Sequence, residues 1–256
     1  MKEKMIKQIG FGFSGQVWLV LNKETGTLTA KKLYVMAAGP EAINEYNTAC
    51  KWRHPNLLHP ISFSHADDGR PCIEMPYCSG RSVDDAAGFF SEKYAWQLLA
   101  EISDALACMH ETGWVHSDVK PSNILWTGEK FMLADFGSCL PEGQVSDTDD
   151  PSSYRFAAPE GPRFGSSDVW SLGATVFNLV LGSYVFGGLG GSAMTAQTPV
   201  PVMKKTMPEL SSLISRCLSY KPEDRPTAKE ITEIARQNLT SLSKGKPDYW
   251  PDNMTD

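Results

Sequence analysis

The chain has 256 residues, of which 41% are hydrophobic and 21% charged, and its formal net charge is −6 at pH 7. A chain of this length can bury a sizeable core, either as one large domain or as two small lobes. The negative net charge argues against binding of nucleic acid by bulk electrostatics, so no nucleic-acid partner is expected.

The cysteines and the N-terminal segment indicate an intracellular protein. None of the 6 cysteines stands in a C-x-x-C or Cys/His metal-binding spacing, so reduced thiols are expected rather than disulfides or metal ligands. The first residues contain no apolar signal-peptide core, and no apolar run is long enough to span a membrane. We therefore expect a cytoplasmic protein, or one secreted into a host cell as an effector without a cleaved signal peptide.

The N-terminal segment alternates between strand patterns and turns. Strands are predicted over residues 6–9, 17–21 and 28–34, with a glycine-rich turn over residues 10–15. Residues 10–17 match the pattern G-x-G-x-x-G-x-V and are Gly10, Phe11, Gly12, Phe13, Ser14, Gly15, Gln16 and Val17. Glycines in such a segment let backbone N–H groups approach phosphates. A dinucleotide-binding fingerprint would open a helix, whereas this segment precedes a strand, which favours a different type of phosphate loop.

Two adjacent lysines in the third strand compete for a phosphate-binding role. Side chains at i and i+2 share one face of a strand, so Ala30, Lys32 and Tyr34 lie together and Lys31 lies on the more polar face. Lys32 is therefore predicted to point inward, beside a small residue that can lie flat against a base. Lys31 is the alternative.

The next segments complete a small lobe of five strands and one helix. A helix is predicted over residues 40–52, where Glu41 and Glu45 are the candidate partners of the lysine. Strands are predicted over residues 57–63 and 71–77. Beyond residue 78 the pattern becomes helical, beginning with an apolar stripe behind a predicted Ser91 N-cap. Residues 227–230, from Thr227 to Glu230, are predicted to form a capping box that opens the last helix.

Two acids, a lysine and an amide then follow in two adjacent loops. Residues 116–123 carry Asp118, Lys120 and Asn123, and Asp135 opens the sequence Asp-Phe-Gly. Asp118 could accept the proton of an attacking hydroxyl, and Lys120 could neutralise charge on a transferring phosphoryl group. Asn123 and Asp135 offer the hard oxygen ligands that Mg²⁺ prefers. His116 is interpreted as structural.

Read together, residues 5–240 resemble the protein-kinase family. The resemblance rests on the glycine-rich segment, an Ala-x-Lys strand, H-x-D-x-K-x-x-N, D-F-G, Ala158-Pro159-Glu160 and Asp224-Arg225-Pro226. It implies an α+β, two-lobed protein-kinase-like fold, with a small antiparallel five-stranded N-lobe carrying one helix and a larger, mainly helical C-lobe. The expected divisions are an N-lobe over residues 1–77, a C-lobe over 78–240 and a polar tail over 241–256.

The resemblance also implies the ligands, ATP and Mg²⁺, and a role for each site residue. Lys32, paired with Glu45, would hold the phosphates, while Asp118 and Lys120 would act in catalysis and Asn123 and Asp135 would bind the metal. The residues implied in ATP binding are Gly10, Phe11, Gly12, Phe13, Ser14, Gly15, Val17, Ala30, Lys32, Met75, Tyr77, Cys78 and Leu125. Met75 would be the gatekeeper, and Pro76 lacks an N–H, which leaves Tyr77 or Cys78 to donate to adenine.

Three distant residues are given structural roles by the same resemblance. Glu160 and Arg225 would form an ion pair, and Asp168 would anchor the backbone of the catalytic loop. Asp168 lies at the start of an apolar helix over residues 168–181. Residues 187–202, rich in Gly, Thr and Pro, are predicted to form a mobile loop without chemistry.

The implied function is a serine/threonine protein kinase whose partners are protein substrates with Ser or Thr hydroxyls, with autophosphorylation as a further reaction. Small-molecule phosphotransferases, which would lack the Glu160 and Arg225 pair, and nucleotide-binding pseudokinases or scaffolds are the alternatives. Ser117 stands where the family usually has arginine, so no cation is available there to pair with a phosphate on the activation segment. Phosphorylation is therefore not expected to be the main switch; the candidate acceptors are Ser146, Thr148, Ser152 and Ser153. Asp147, Asp149 and Asp150 are interpreted as solvating this segment; ordering of the segment through another cation and binding of basic substrates are the alternatives.

Overall fold

The computed structural model describes residues 2–12, 15–79, 82–144, 153–200, 202–203 and 206–242. The chain divides into two compact units. The first contains Met1–Cys78 together with Asp135–Gly137, and the second contains Ser79–Ala134 and Ser138–Asp256.

The first unit is built on a five-stranded antiparallel sheet with the strand order β1-β2-β3-β5-β4. The strands are β1 (Glu3–Gly12), β2 (Gly15–Asn22), β3 (Leu28–Tyr34), β4 (Ser62–His65) and β5 (Pro71–Pro76). Helix α1 (Gly39–Ala49) lies between β3 and β4 along the chain and packs on the sheet through a core containing Ala42, Tyr34 and Ile73. The predicted lobe of five strands and one helix is confirmed.

Three local predictions in this unit were wrong at their boundaries. Strand β4 begins at Ser62, not at residue 57, because Pro60 has no N–H to donate to a sheet. Residues 57 and 58 are nevertheless buried, which explains their strand-like hydrophobicity. Helix α1 ends at Ala49, before the His54-Pro55 turn. Strand β1 runs on to Gly12, so the first two glycines of the phosphate-loop pattern belong to a strand.

The second unit is mainly helical, as predicted. Its helices are α2 (Glu92–His110), α3 (Gly165–Leu181), α4 (Pro208–Cys217) and α5 (Ala228–Leu242). Its short strands are β6 (Trp114–Val115), β7 (Ile124–Trp126), β8 (Phe131–Leu133) and β9 (Leu140–Pro141), which form the antiparallel pairs β6-β9 and β7-β8. Helix α3 is buried along almost its whole length, which confirms the prediction of a central helix.

Side-chain caps fix where two of these helices begin. Ser91 Oγ accepts a hydrogen bond from the backbone N–H of Tyr94 at the start of α2. Before α5, Thr227 Oγ1 accepts from the N–H of Glu230 at 3.2 Å, and the Glu230 carboxylate accepts from the N–H of Thr227 at 2.7 Å. Both caps were predicted from sequence, and they satisfy N–H groups that have no partner within the helix.

The glycine-rich segment after α3 was expected to be an irregular loop over residues 187–202, and its first part has regular structure instead. Residues Gly187–Ala193 form a short 3₁₀ segment in which Gly190 and Gly191 are buried. The N–H of Gly191 donates to the carbonyl of Ala157 at 2.9 Å, and a Cβ added to Gly191 would lie 2.5 Å from the nitrogen of Pro159. The segment therefore packs against the backbone that precedes Glu160, and only glycine allows that approach.

The 6 cysteines all lie in the described part of the chain, and none of them forms a disulfide there. In the described part of the chain, no helix combines the length and the apolar character needed to cross a membrane.

Candidate active site

A buried ion pair joins strand β3 to helix α1 in the first unit. Lys32 Nζ donates to Glu45 Oε1 at 2.9 Å and to Glu45 Oε2 at 2.8 Å. Lys31, the alternative, instead pairs with Glu3 at 2.6 Å and lies 3.7 Å from Glu74. The alternation of side chains along β3 therefore selected the lysine that contacts Glu45, and the predicted pair is present.

Asp135 is the third charged member of this cluster. Its Oδ1 lies 3.4 Å from Lys32 Nζ, and its backbone has a φ of 66°, in the left-handed region that non-glycine residues rarely adopt. Burial alone would lower the pKa of Lys32, but the charges of Asp135 and Glu45 outweigh burial and raise it. Lys32 is therefore held as a cation beside a half-exposed carboxylate.

The predicted catalytic loop lies in the second unit and is held by its own side chains. Asp118 Oδ2 lies 3.0 Å from Lys120 Nζ and accepts a hydrogen bond from Asn123 Nδ2 at 2.9 Å. Asn123 Nδ2 also donates to the backbone carbonyl of Asp118 at 2.9 Å. The three side chains predicted from the motif thus form one polar cluster in which Lys120 and Asn123 are buried.

Helix α3 anchors the backbone of this loop. The Asp168 carboxylate accepts from the backbone N–H of His116 and from that of Ser117, both at 2.8 Å. Ser117 has a φ of 71°, and these contacts hold its left-handed conformation next to Asp118. His116 is fully buried, and its Nε2 lies 3.2 Å from the carbonyl oxygen of Ala134. This geometry is that of a packing residue, as the sequence interpretation had it.

The predicted ion pair between Glu160 and Arg225 is present in the second unit. Arg225 Nη1 donates to Glu160 Oε1 at 2.6 Å and Nη2 donates to Oε2 at 2.9 Å. Burial opposes ionisation of Glu160, but the hydrogen bonds and charge of Arg225, together with hydrogen bonds from the backbone and Ser167, outweigh burial and hold the pKa of Glu160 below the ordinary value. The pair is bidentate, which is the strongest arrangement for these two groups.

The remaining predicted nucleotide-binding residues lie on or next to the sheet, with one exception. In the first unit, Gly10, Phe11 and Gly12 end β1, Gly15 and Val17 begin β2, Ala30 is on β3, Met75 is on β5, and Tyr77 and Cys78 follow β5. Leu125 lies in the second unit, on β7. Phe13 and Ser14 lie outside the described residues, as do Ser146, Thr148, Ser152 and the three aspartates between residues 147 and 150.

The packing of strand β2 against strand β3 requires a glycine at position 15. A Cβ added there would lie 2.1 Å from the carbonyl oxygen of Leu33, so a larger residue would separate β2 from β3. The glycine is therefore required by the sheet whether or not a phosphate binds nearby.

Each unit offers one oxygen donor of the type that Mg²⁺ prefers, Asp135 in the first unit and Asn123 in the second. The amide nitrogen of Asn123 donates to Asp118, so the amide oxygen of Asn123 is the atom that can bind a metal. Asp135 supplies a carboxylate. Among the residues described, no cluster of three or more His, Cys, Asp or Glu side chains could hold a metal ion. Mg²⁺ is commonly held by one or two carboxylates with phosphates and water, and this donor set is consistent with that mode.

A family comparison agrees with this geometry. Residues 4–235 match the model of the protein kinase domain. The chain belongs to the protein kinase family.

Curated relatives of the kinase include bacterial and fungal proteins. The chain is 27% identical to the serine/threonine-protein kinase PknJ of Mycobacterium tuberculosis, in an alignment that covers 95% of this chain and 46% of PknJ. It is 30% identical to the serine/threonine-protein kinase PknK of Mycobacterium bovis, over 75% of this chain and 19% of PknK. It is 27% identical to the serine/threonine-protein kinase ppk11 of Schizosaccharomyces pombe, over 89% of this chain and 79% of ppk11. The chain thus spans less than half the length of PknJ and PknK.

Sequence reasoning missed three side chains that support the kinase site. Tyr34 donates from its hydroxyl to Glu45, His110 Nε2 lies 2.9 Å from Asp168 Oδ2, and Thr175 Oγ1 donates to the carbonyl of Val119 at 3.5 Å. The only signal for Tyr34 was its position on the inward face of β3. His110 and Thr175 gave no signal, since their partners are distant in sequence.

Proposed function

We propose that this kinase transfers the γ-phosphate of ATP, with Mg²⁺, to serine and threonine hydroxyls of protein substrates. The observation that carries the proposal is the anchored loop in which Lys120 and Asn123 both bind the carboxylate of Asp118. Asp118 would orient the acceptor hydroxyl and take its proton, and Lys120 would neutralise charge on the group in transfer.

The nucleotide would be held by the residues of the first unit and by Leu125. Lys32, kept in place by Glu45, would bind the α and β phosphates, while the backbone of the glycine-rich segment would approach them closely. Val17 and Ala30 would contact the base, and the resemblance to the family gives Leu125 a role in binding the base as well. Met75 would be the gatekeeper, and Tyr77 or Cys78 would donate its backbone N–H to adenine.

Asn123 and Asp135 would bind Mg²⁺ through their oxygen atoms. The metal would supply charge neutralisation of the phosphates. The Asp135 side chain is half-exposed, which supports its part of this assignment because its carboxylate is accessible to a ligand.

Three observations favour a protein acceptor over a small molecule. The Glu160 and Arg225 pair braces the end of the segment that lies between residues 135 and 160, a feature not expected of small-molecule phosphotransferases. In addition, PknJ, PknK and ppk11 are named as serine/threonine-protein kinases. Lys120, two residues after Asp118, also matches the serine/threonine type of loop.

Ser117 bears on how the activity is regulated. Its Oγ is buried and has no hydrogen-bond partner among the described residues, and a serine offers no charge to a phosphate. We therefore propose that the activity is not switched mainly by phosphorylation of Ser146, Thr148, Ser152 or Ser153.

Labelled phosphate transfer tests the function directly. Purified protein is incubated with Mg-ATP labelled at the γ position and a mixture of protein substrates, with Asp118→Ala and Asp135→Ala as controls. Phosphoserine and phosphothreonine are expected from the wild type alone. Transfer only to small molecules would favour a small-molecule phosphotransferase, and ATP binding without transfer would indicate a pseudokinase.

Phosphatase treatment tests the regulatory proposal. The dephosphorylated kinase is expected to keep its kcat. A many-fold loss of kcat, restored by incubation with Mg-ATP, would contradict the proposal.

A further inference from the structure

Tyr34 occupies a fixed position next to the lysine of strand β3. It lies two residues after Lys32 on the same face of the strand, and only 1% of its surface is exposed. Its ring packs with Ala42 of helix α1 and Ile73 of strand β5 in one hydrophobic cluster. The side chain is therefore held from three elements and has little freedom to turn away.

The hydroxyl of Tyr34 reaches the carboxylate that Lys32 also binds. It donates to Glu45 Oε2 at 2.5 Å, while Lys32 Nζ donates to both oxygens of the same carboxylate. Lys32 Nζ also lies 5.0 Å from the centre of the Tyr34 ring, within range of a cation–π interaction. Tyr34 thus contacts both members of the ion pair.

The charges around Glu45 make this hydrogen bond important. Burial raises the pKa of Glu45 and the negative charge of Asp135 adds to that effect, while Lys32 and the hydrogen bond from Tyr34 oppose it. Without the hydroxyl, Glu45 would bind a proton more readily, and a protonated Glu45 would attract Lys32 less. A hydrogen bond to a charged group is also stronger than one between neutral groups.

We propose that Tyr34 is a positioning residue of the kinase, which acts by holding the carboxylate of Glu45 against Lys32 from the strand side. The inference rests on the proposed function, because the Lys32–Glu45 pair acquires its catalytic value from phosphate binding. The role belongs to the hydroxyl; the ring packs and faces Lys32, and both of these contacts remain when only the hydroxyl is removed.

Tyr34→Phe removes the hydroxyl and keeps the ring, so the variant should fold. We expect kcat to fall about tenfold, with the KM for the protein substrate little changed. The acidic limb of the pH–rate profile should move to higher pH, because Glu45 must be ionised and its pKa has risen. Tyr46→Phe is the matched control: it is the same substitution on helix α1, at a hydroxyl that interacts with Cys50.

A double-mutant cycle with Glu45→Gln shows whether Tyr34 acts through Glu45. The Tyr34→Phe loss should shrink or vanish when Glu45→Gln is already present. An equal loss in both backgrounds, or a pH–rate profile that does not move, would overturn the role of Tyr34 in an enzyme that is otherwise active.

Unfolding of the ligand-free protein gives a readout that needs no activity. The pKa of Glu45 is raised, chiefly by burial. The stability lost through Tyr34→Phe should be greater on the alkaline side of the Glu45 titration, where the carboxylate is charged, than on the acid side, where it is protonated. A loss that is independent of pH would overturn the proposed hydrogen bond. If the stability lost through Tyr34→Phe depends on pH in this way but the wild type transfers no phosphate, the hydrogen bond is supported and the proposed function is overturned.

Discussion

The Arg225 guanidinium should tolerate no replacement, including lysine. Its side chain has 0% exposure, and it makes five hydrogen bonds: two to Glu160 and one each to the carbonyls of Ser166, Ser219 and Tyr220. Arg225→Lys keeps the charge but replaces a planar group of five donors with an ammonium of three.

The magnitude follows from the number of bonds lost. At least two of the five hydrogen bonds must disappear, and each bond to a charged group contributes about 1.5–3 kcal/mol. We therefore expect the free energy of unfolding to fall by about 3 kcal/mol or more, a large part of the 5–15 kcal/mol that is typical of proteins. The melting temperature should fall by roughly 6–12 °C, since each kcal/mol shifts it by about 2–4 °C in a chain of this size.

Urea unfolding at neutral pH measures this loss, with Arg216→Lys as the control. Arg216 lies on helix α4 and is exposed, so the same substitution there should change stability by about 0.5 kcal/mol or less. Equal stability of the two variants would refute the reasoning that buried donors decide the effect.

Three further outcomes are expected. Lys32→Met should lower kcat/KM by about a hundredfold or more, whereas Lys31→Met should change it only slightly, as steady-state kinetics will show. Gly191→Ala should cost about 2 kcal/mol in urea unfolding, because its Cβ would meet backbone at 2.5 Å, whereas Gly188→Ala, with nothing within 4 Å, should cost almost nothing. The folded pKa of Glu160 is depressed, so its contribution is complete above the ordinary glutamate pKa of about 4.3 and is lost as pH falls. The stability difference between wild type and Glu160→Gln should therefore be present at pH 7 and shrink towards acid pH; a constant difference would contradict this.

The fold was predictable where local pattern and chemistry agree. The alternation of side chains on β3 placed Lys32 inward, and the capping residues Ser91 and Thr227 marked the starts of two helices. The strand expected over residues 57–63 failed because hydrophobicity reports burial, whereas Pro60 decides whether a backbone can pair. Local sequence therefore gave the elements more reliably than their ends.

The residue types of the candidate site were predictable from the sequence, whereas the contacts that hold those residues in place were less so. Nothing in the local sequence shows that Ser117 has a positive φ, because the carboxylate of Asp168, which is distant in sequence, stabilises that backbone. The contact of Tyr34 with Glu45 also depends on how α1 packs on the sheet. The packing of Gly191 against the segment before Glu160 was missed for the same reason.

We propose that Asp118 acts in phosphoryl transfer and not in nucleotide binding. Single-turnover transfer from Mg-ATP to a protein substrate, measured alongside the Kd for Mg-ATP, should compare the wild type with Asp118→Asn. We expect the transfer rate of the variant to fall by about a thousandfold while its Kd changes little. Equal transfer by the two proteins, or no transfer by the wild type, would contradict the account.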